Sequence, residues 1–176
     1  MKSTKYLTSF ALVAATVVTA GGIALGSMTA AASTRPPCTN AQIVVTHGAP
    51  QGTAGTTYVP LVFTNARAAC TIDGVPAIQP VTGAARRPLG PPARNGSMGE
   101  MPALHIIARG KSVSVAFGIV DTGNYPAASC VARRASGVVV SLGSFVRPRY
   151  VALAFQVCTK RASTTTRLIS PGVTGY

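Results

Sequence analysis

The chain has 176 residues, which is enough for one ordinary domain and for two at most. Sixteen Lys and Arg residues stand against three acids, giving a formal net charge of +13, while 47% of all residues are hydrophobic. Such an apolar content excludes a disordered basic tail, and three carboxylates cannot form a dense carboxylate metal cage. Six per cent aromatics and no Trp leave little for a groove that stacks single-stranded nucleic acid.

The N-terminus carries the three parts of a secretory signal peptide. Two lysines within the first five residues make a basic start, and residues 10–20 form an apolar run. Ala30 and Ala32 supply the small-x-small end that the narrow subsites of a signal peptidase accept. We therefore predict a helical signal peptide over residues 1–32, followed by a mature domain over residues 33–176. A retained membrane anchor is the alternative.

Four cysteines, all in the predicted mature domain, indicate two disulfides, because an even number is typical of exported chains. Their wide spacing, without a C-x-x-C pair, disfavours a zinc site or a redox motif. Three pairings are open. Cys38 precedes a predicted strand and Cys70 follows the next one, so an antiparallel pair would bring them together. Cys130 and Cys158 flank the last long hairpin in the same way, which favours the pairings Cys38–Cys70 and Cys130–Cys158.

The recurring signal of the mature domain is an alternation of apolar and polar residues with period two, which predicts strands. The predicted strands cover residues 43–46, 58–64, 77–81, 104–107, 112–119, 137–142, 151–157 and 166–169. No mature segment has a helical apolar stripe of ten or more residues. Seven to eight short strands separated by Gly, Pro and Asn predict an all-β fold, an antiparallel β-sandwich.

Two segments depart from this pattern. Pro60 lacks an N–H group, so its strand is predicted to lie at a sheet edge or to be bulged there. Residues 83–99 contain three Arg and three Pro without periodicity. This composition predicts a long, mobile, partly polyproline-like loop.

Several phrases resemble those of a family of secreted actinobacterial proteins, the domain of unknown function 4232. They lie at residues 38–43 (Cys-Thr-Asn-Ala-Gln-Ile), 58–65 (Tyr-Val-Pro-Leu-Val-Phe-Thr-Asn), 70–76 (Cys-Thr-Ile-Asp-Gly-Val-Pro) and 121–125 (Asp-Thr-Gly-Asn-Tyr). The resemblance spans residues 38–170 and implies an exported, envelope-associated, immunoglobulin-like domain. It implies no catalytic residues, because none are assigned in the family.

The residues that could carry catalysis are few. His47 and His105, with Asp73 and Asp121, could in principle join a serine in a triad, but the chain has no G-x-S-x-G elbow. We expect His47 to lie at a strand end and Asp73 to form a turn. The side chains of Asp121 and Asn124 are expected to form hydrogen bonds with the backbone of their own loop.

Soft ligands suited to copper occur at Met98, Met101 and His105. Three such residues on a loop are a weak signal, and loop packing for Met101 with a strand position for His105 is the simpler explanation. We predict no metal site and no cofactor.

Arginine dominates the basic residues, with twelve Arg against four Lys, and its planar guanidinium suits phosphate and carboxylate. Two of the sixteen basic residues lie in the signal segment, so the mature domain carries a charge of +11. The candidate anion-binding residues lie in predicted loops and at strand ends: Arg86, Arg87, Arg94, Arg133, Arg134, Arg147 and Arg149. Dispersed solubilising charge is the alternative explanation. Nucleic acid is not an expected partner of an exported chain without a reading helix.

Together these patterns predict a secreted, non-enzymatic β-sandwich protein of the cell envelope that binds an anionic envelope polymer, anionic lipid or a partner protein. A secreted hydrolase, or an accessory domain of an envelope enzyme, is the alternative. A third hypothesis is a structural protein that oligomerises through an edge strand at residues 58–64.

Overall fold

Alternating apolar and polar residues form extended strands in about half of residues 35–176, the part of the chain that the computed structural model describes. The predicted signal peptide lies outside these residues. In chain order the strands are β1 Ile43–His47, β2 Gln51–Thr53, β3 Thr56–Asn65, β4 Cys70–Ile72, β5 Ala77–Thr82, β6 Arg87–Pro88, β7 Arg94–Asn95, β8 His105–Ile107, β9 Ser112–Val120, β10 Ala132–Ser141, β11 Arg149–Cys158, β12 Thr164–Thr166 and β13 Ser170–Pro171.

Helical structure within the described part is limited to a 3₁₀ turn at Thr122–Asn124 and the four-residue helix α1, Ala127–Cys130. Neither has the length or the apolar content that a membrane-crossing helix requires. Each of the eight predicted strand segments overlaps an observed strand. The predicted number of seven to eight strands is too low, because β2, β4, β6, β7 and β13 have only two or three residues, too few for an alternation to show.

The strands form an all-β sandwich, as predicted. One layer is a seven-stranded sheet with the order β1-β3-β9-β12-β7, in which β2 also pairs with β3 and β13 with β9. The other layer is a four-stranded sheet with the order β11-β10-β5-β6, and β4 pairs with β8 in a separate ribbon. Pairing is antiparallel except between β7 and β12.

The core lies between the two sheets and is built from one face of each strand. Leu61, Phe63, Val115 and Phe117 come from the seven-stranded sheet, and Ile78, Val138, Val140 and Val151 come from the four-stranded sheet. The rings of Phe117 and Phe155 meet edge to face across the layers, with their centroids 5.6 Å apart. Each fully buried side chain of this size contributes roughly 1.5–3 kcal/mol by leaving water.

Both predicted disulfides are present, Cys38–Cys70 and Cys130–Cys158, and the pairing is confirmed. Their Cα atoms lie 5.0 Å and 4.5 Å apart. The reason is the antiparallel register: β1 begins opposite the end of β3, and β10 begins opposite the end of β11. Cys38 and Cys70 lie just outside the first pair of strand ends, while Cys130 lies just before β10 and Cys158 is the last residue of β11. The two cysteines of each pair are therefore neighbours in space.

The predicted edge position of the strand around Pro60 is wrong, because β3 is paired along both sides. It pairs with β9 over its length on one side, and with β1 and then β2 on the other. Pro60 faces the break between β1 and β2, where Gly48 N–H donates to the Pro60 carbonyl over 2.8 Å. The missing proline N–H therefore removes no ladder hydrogen bond. Assembly through an exposed edge at residues 58–64 is thereby ruled out.

Residues 83–99 are a connection between the sheets rather than the free loop predicted. Leu89 N–H donates to the Pro80 carbonyl and Ala93 N–H to the Ile78 carbonyl, both over 2.8 Å. After this attachment to β5 the chain crosses to the other sheet, where β7 pairs with β12. The segment thus closes one side of the sandwich. Proline and arginine obscured it in the sequence because its two strands have only two residues each.

The C-terminal tail packs on the outer side of the seven-stranded sheet. Gly175 N–H donates to the Ser114 hydroxyl over 2.9 Å, and the Tyr176 ring meets Tyr58 with centroids 5.9 Å apart. Burial raises the pKa of the Tyr176 hydroxyl above its ordinary value, Tyr58 adds to this effect, and Arg167 opposes it.

Candidate anion-binding site

The structure divides the seven predicted anion-binding arginines among four places. Arg147 and Arg149 lie at the start of β11, whereas Arg133 and Arg134 lie opposite its last residues, at the far end of the same sheet. Arg86 lies in the turn from β5 to β6, Arg87 begins β6, and Arg94 lies on β7 in the other sheet. The seven therefore do not form one surface.

One end of the sandwich carries a group of arginines that only the fold brings together. Its centre is the loop of residues 39–42, which follows Cys38 and leads into β1. Arg147 N–H donates to the Asn40 side-chain oxygen over 3.1 Å, and the Asn40 amide donates back to the Arg147 carbonyl. The Arg149 guanidinium donates to the Asn40 carbonyl. Asn40 therefore attaches the start of β11 to the loop before β1.

Arg67 and Arg109 approach the same loop from its other side. Arg67 Nε donates to the Ala41 carbonyl over 3.0 Å, and both arginines line a shallow depression together with Ala41. Ala41 also lines the neighbouring depression that contains Arg147 and Arg149. The two depressions thus adjoin. We call the four arginines 67, 109, 147 and 149, around residues 39–42, the basic end.

The buried amide of Asn65 holds two of the turns at the basic end. Asn65 is 0% exposed, and its side-chain NH₂ donates to the carbonyls of Ala68 and Ile107 over 2.9 Å and 2.8 Å. Its side-chain oxygen accepts Arg67 N–H over 2.9 Å, and its own carbonyl accepts Gly110 N–H over 2.7 Å. One residue at the end of β3 therefore positions the turns that carry Arg67 and Arg109.

Replacing Asn65 with Ala is expected to lower the free energy of unfolding by about 2–3 kcal/mol, because buried backbone partners lose their hydrogen bonds. Urea denaturation measures this loss. The same variant should bind anions more weakly, since the turns of Arg67 and Arg109 lose their common support. Thr64→Ala at the preceding position of β3, where the hydroxyl lies 2.9 Å from the Ser112 hydroxyl, is the control and should cost less. Equal losses in the two variants would contradict this role for Asn65.

The basic end contains no balancing carboxylate in the lining of either depression. The three acids of the chain line other cavities: Asp73 beside Leu142, Glu100 beside Met101, and Asp121 beside Ile119. Three of the four arginines are exposed and the fourth, Arg149, is half-buried. Four like charges around one loop attract anions, and salt screens this attraction over about 8–10 Å.

Sequence reasoning selected Arg147 and Arg149 but passed over Arg67 and Arg109 as members of the site. Arg67 follows the end of β3, and Arg109 follows the end of β8. The loop positions of Arg67 and Arg109 were a usable clue, because successive strands of an antiparallel sandwich alternate in direction and their loops lie at one of its two ends. Assigning each loop to an end required the strand order, which the sequence does not show.

Arg86 lies away from the basic end, and its guanidinium stacks on an aromatic ring. Its guanidinium carbon lies 4.3 Å from the centroid of the Tyr150 ring, a cation–π contact. Tyr150 in turn lies over Gly137, where an added Cβ would be 2.6 Å from the ring. Glycine is therefore required on β10 for this stack, and Arg86 covers the outer face of the four-stranded sheet.

The histidines and acids considered for catalysis lie in separate local environments. His47 Nδ1 lies 3.1 Å from the Gly48 carbonyl oxygen, and His105 Nε2 lies 3.0 Å from that of Ile169. Asp121 accepts Gly123 N–H over 2.9 Å, as predicted. Asn124, however, donates to the Gly55 carbonyl instead of its own loop backbone, because the loop packs on the turn between β2 and β3.

Of the soft-ligand set, Met101 and His105 line one cavity together with Glu100, whereas Met98 is not part of its lining. Met98 and Met101 are 91% and 87% exposed, and His105 Nε2 contacts the Ile169 carbonyl oxygen. Within residues 35–176, no group of three His, Cys, Asp or Glu side chains is close enough to hold a metal ion.

The fold and its two disulfides define a small, disulfide-linked all-β sandwich domain. Residues 38–168 match the family model described as "Domain of unknown function (DUF4232)", and the chain belongs to this family. The match runs from the first disulfide cysteine to the segment just after β12. No curated protein and no solved structure shows significant similarity to the chain.

Proposed function

We propose that this protein is a secreted, non-enzymatic binding module of the actinobacterial cell envelope and that its basic end binds an anionic envelope polymer. The observation that carries the proposal is the grouping of Arg67, Arg109, Arg147 and Arg149 around one loop whose depressions are lined by no acid. The basic, apolar and small-residue parts of the N-terminus support export. Two disulfides are compatible with an oxidising compartment.

Guanidinium groups suit such a ligand for a geometric reason. Each presents several N–H donors in one plane and can bind two oxygens of a phosphate or carboxylate at once. At the basic end some donors are used on backbone carbonyls, by Arg67 and Arg149, which fixes the direction of these side chains. A polymer with repeating anionic groups can contact both adjoining depressions, so its binding gains from several contacts along one chain.

The test measures binding of the secreted protein to anionic wall polymer and to anionic phospholipid vesicles across a salt series. The variant Arg67→Gln/Arg109→Gln/Arg147→Gln removes three charges from the basic end. At about 1 kcal/mol for each basic residue near an anionic surface, its affinity should fall by roughly 100-fold. Affinity of the unmodified protein should also fall steeply as salt rises.

A matched control removes three charges elsewhere, as Arg87→Gln/Arg94→Gln/Arg134→Gln. It has the same net charge as the first variant. If only the first variant loses affinity for the anionic polymer, the basic end is a binding site and the loss is not a general effect of charge. Equal weakening in the two variants, or binding that is insensitive to salt, would contradict the proposal.

A further inference from the structure

The free edge of β11 is the second unassigned surface of the molecule. Of the described strands, β11 pairs with β10 alone. Its other edge borders a cleft of about 440 Å³, with residues 153–156 on one wall. The opposite wall comes from Gly55 and the start of β3 (residues 56, 57 and 59) and from residues 119–122 at and after the end of β9. The cleft therefore lies between an unpaired strand edge and the other sheet.

The hydrophobic core is incompletely covered at this cleft. Ile119, Leu153 and Phe155 pack against the core but stay half-buried, and all three line the cleft. By contrast, Phe117, which contacts Phe155 across the layers, is 0% exposed. Apolar surface and unpaired backbone thus occur together, and an added extended strand would cover both.

The backbone direction of β11 is suited to such pairing. Cys158 N–H donates to the Ser163 hydroxyl over 3.0 Å, so it points away from β10. Because successive N–H groups along a strand point to opposite sides, Gln156 N–H points to the same side as that of Cys158. The side chains of Ala154 and Gln156 are exposed and leave this edge accessible.

Two exposed cations, Lys160 and Arg161, follow β11 at the C-terminal end of the edge. Arg133 and Arg134 are also exposed, but they lie on β10, on the paired side of β11. Lys160 donates to the Ala128 carbonyl, and Arg161 stacks on the Tyr125 ring at 4.1 Å from its centroid. The single acid in the cleft lining, Asp121, has a carboxylate oxygen bound to its own loop.

We propose that the β11 edge binds an extended acidic segment of a partner protein, which adds to the four-stranded sheet as a fifth strand. Its backbone would pair with β11, alternate apolar side chains would cover Ile119, Leu153 and Phe155, and its acids would meet Lys160 and Arg161. A second copy of this chain is disfavoured as the occupant, because β11–β11 pairing would oppose two basic edges. The surface lies at the far end of β11 from the basic end, so the two proposals can fail separately.

The probe is a synthetic peptide of about nine residues in which Val alternates with Glu, the length of an ordinary strand. Titration calorimetry should show saturable binding to the secreted protein. Two N-methylated versions, one modified at the Val amides and one at the Glu amides, remove the donors of one peptide edge each. At least one of them should bind 10-fold or more weakly, since strand addition depends on those donors.

The matched protein variants are Gln156→Pro and Gln156→Thr. Both remove the Gln156 side chain, but only proline removes the N–H that points away from β10, so only Gln156→Pro should lose affinity, by 10-fold or more. Circular dichroism shows whether each variant folds, and the N-methylated peptides test the same donors on unmodified protein. Amide exchange at Gln156 should slow when peptide is bound.

Three results would overturn the proposal. The first is that the peptide shows no saturable binding. The second is that the unmodified peptide and both N-methylated versions bind with equal affinity. The third is that the protein forms a dimer without peptide and that Gln156→Pro dissociates this dimer. The last result would assign the edge to a second copy of the chain. None of the three bears on the basic end, where anion binding is measured separately.

Discussion

Replacing Cys38 and Cys70 together by Ala is expected to lower the free energy of unfolding by about 3–4 kcal/mol and to weaken anion binding as well. The stability loss follows from the loop that this disulfide closes, 32 residues in sequence, whose cross-link restricts the unfolded chain. Affinity falls because the loop of residues 39–42 begins directly after Cys38. Urea denaturation and polymer binding, measured on the same variant, give the two values.

The second disulfide provides the control for this experiment. Cys130 and Cys158 are 28 residues apart, so their replacement by Ala should cost a similar 3–4 kcal/mol. They lie at the opposite end of β11 from the basic end, however, and the folded variant should keep its anion affinity. If both double variants lose affinity equally, the disulfide at Cys38 has no specific role in supporting the basic end. A stability loss below about 1 kcal/mol in either variant would contradict the structural role of that disulfide.

Replacing Phe117 with Ala is expected to cost about 3–5 kcal/mol, because it leaves a cavity at the centre of the sandwich. The ring is fully buried on β9, and it packs edge to face on Phe155 of the other sheet. Removing the ring therefore eliminates a contact between the two layers as well as the burial of one side chain. Urea denaturation should show a lower midpoint with an unchanged slope, as expected for a variant that keeps the same fold.

Phe155→Ala is the natural comparison, since it removes the other ring of the same pair. Phe155 is half-buried and lines the cleft beside β11, so water can enter the space that the ring leaves. Its cost should be clearly smaller than that of Phe117→Ala. Equal costs would mean that the cleft is closed in solution, which would also remove the apolar surface that the proposed acidic partner covers.

The sequence predicted the strands well where alternation was long enough to be seen. The strand that contains Phe117 is predicted at residues 112–119 and observed as Ser112–Val120. For Pro60 the predicted edge position was wrong, whereas the predicted irregularity is present, because the pairing register beside it shifts by one residue between β1 and β2. A missing N–H is tolerated at an edge, but also opposite a gap in a neighbouring strand, and only the arrangement of β1 and β2 distinguishes these cases.

The candidate site was harder to predict than the strands. The arginine count indicated an anion-binding surface, but the seven residues selected by their loop positions lie in four places. Arg67 and Arg109 were passed over because the strand order that brings their turns to residues 39–42 is not visible in the sequence. Their grouping depends on the amide of Asn65, which joins two turns that are 42 residues apart along the chain.

By itself, the sequence determined the all-β class, the positions of the long strands and the pairing of the four cysteines. These properties follow from local patterns, since side-chain alternation defines strands and antiparallel strand ends bring the flanking cysteines together. Tertiary structure alone decided which arginines meet and which strand edge stays unpaired. Both depend on strand order, which arises from contacts among residues far apart in the chain. The excess of basic residues is visible in the composition, but its concentration at one end is a property of the folded sandwich.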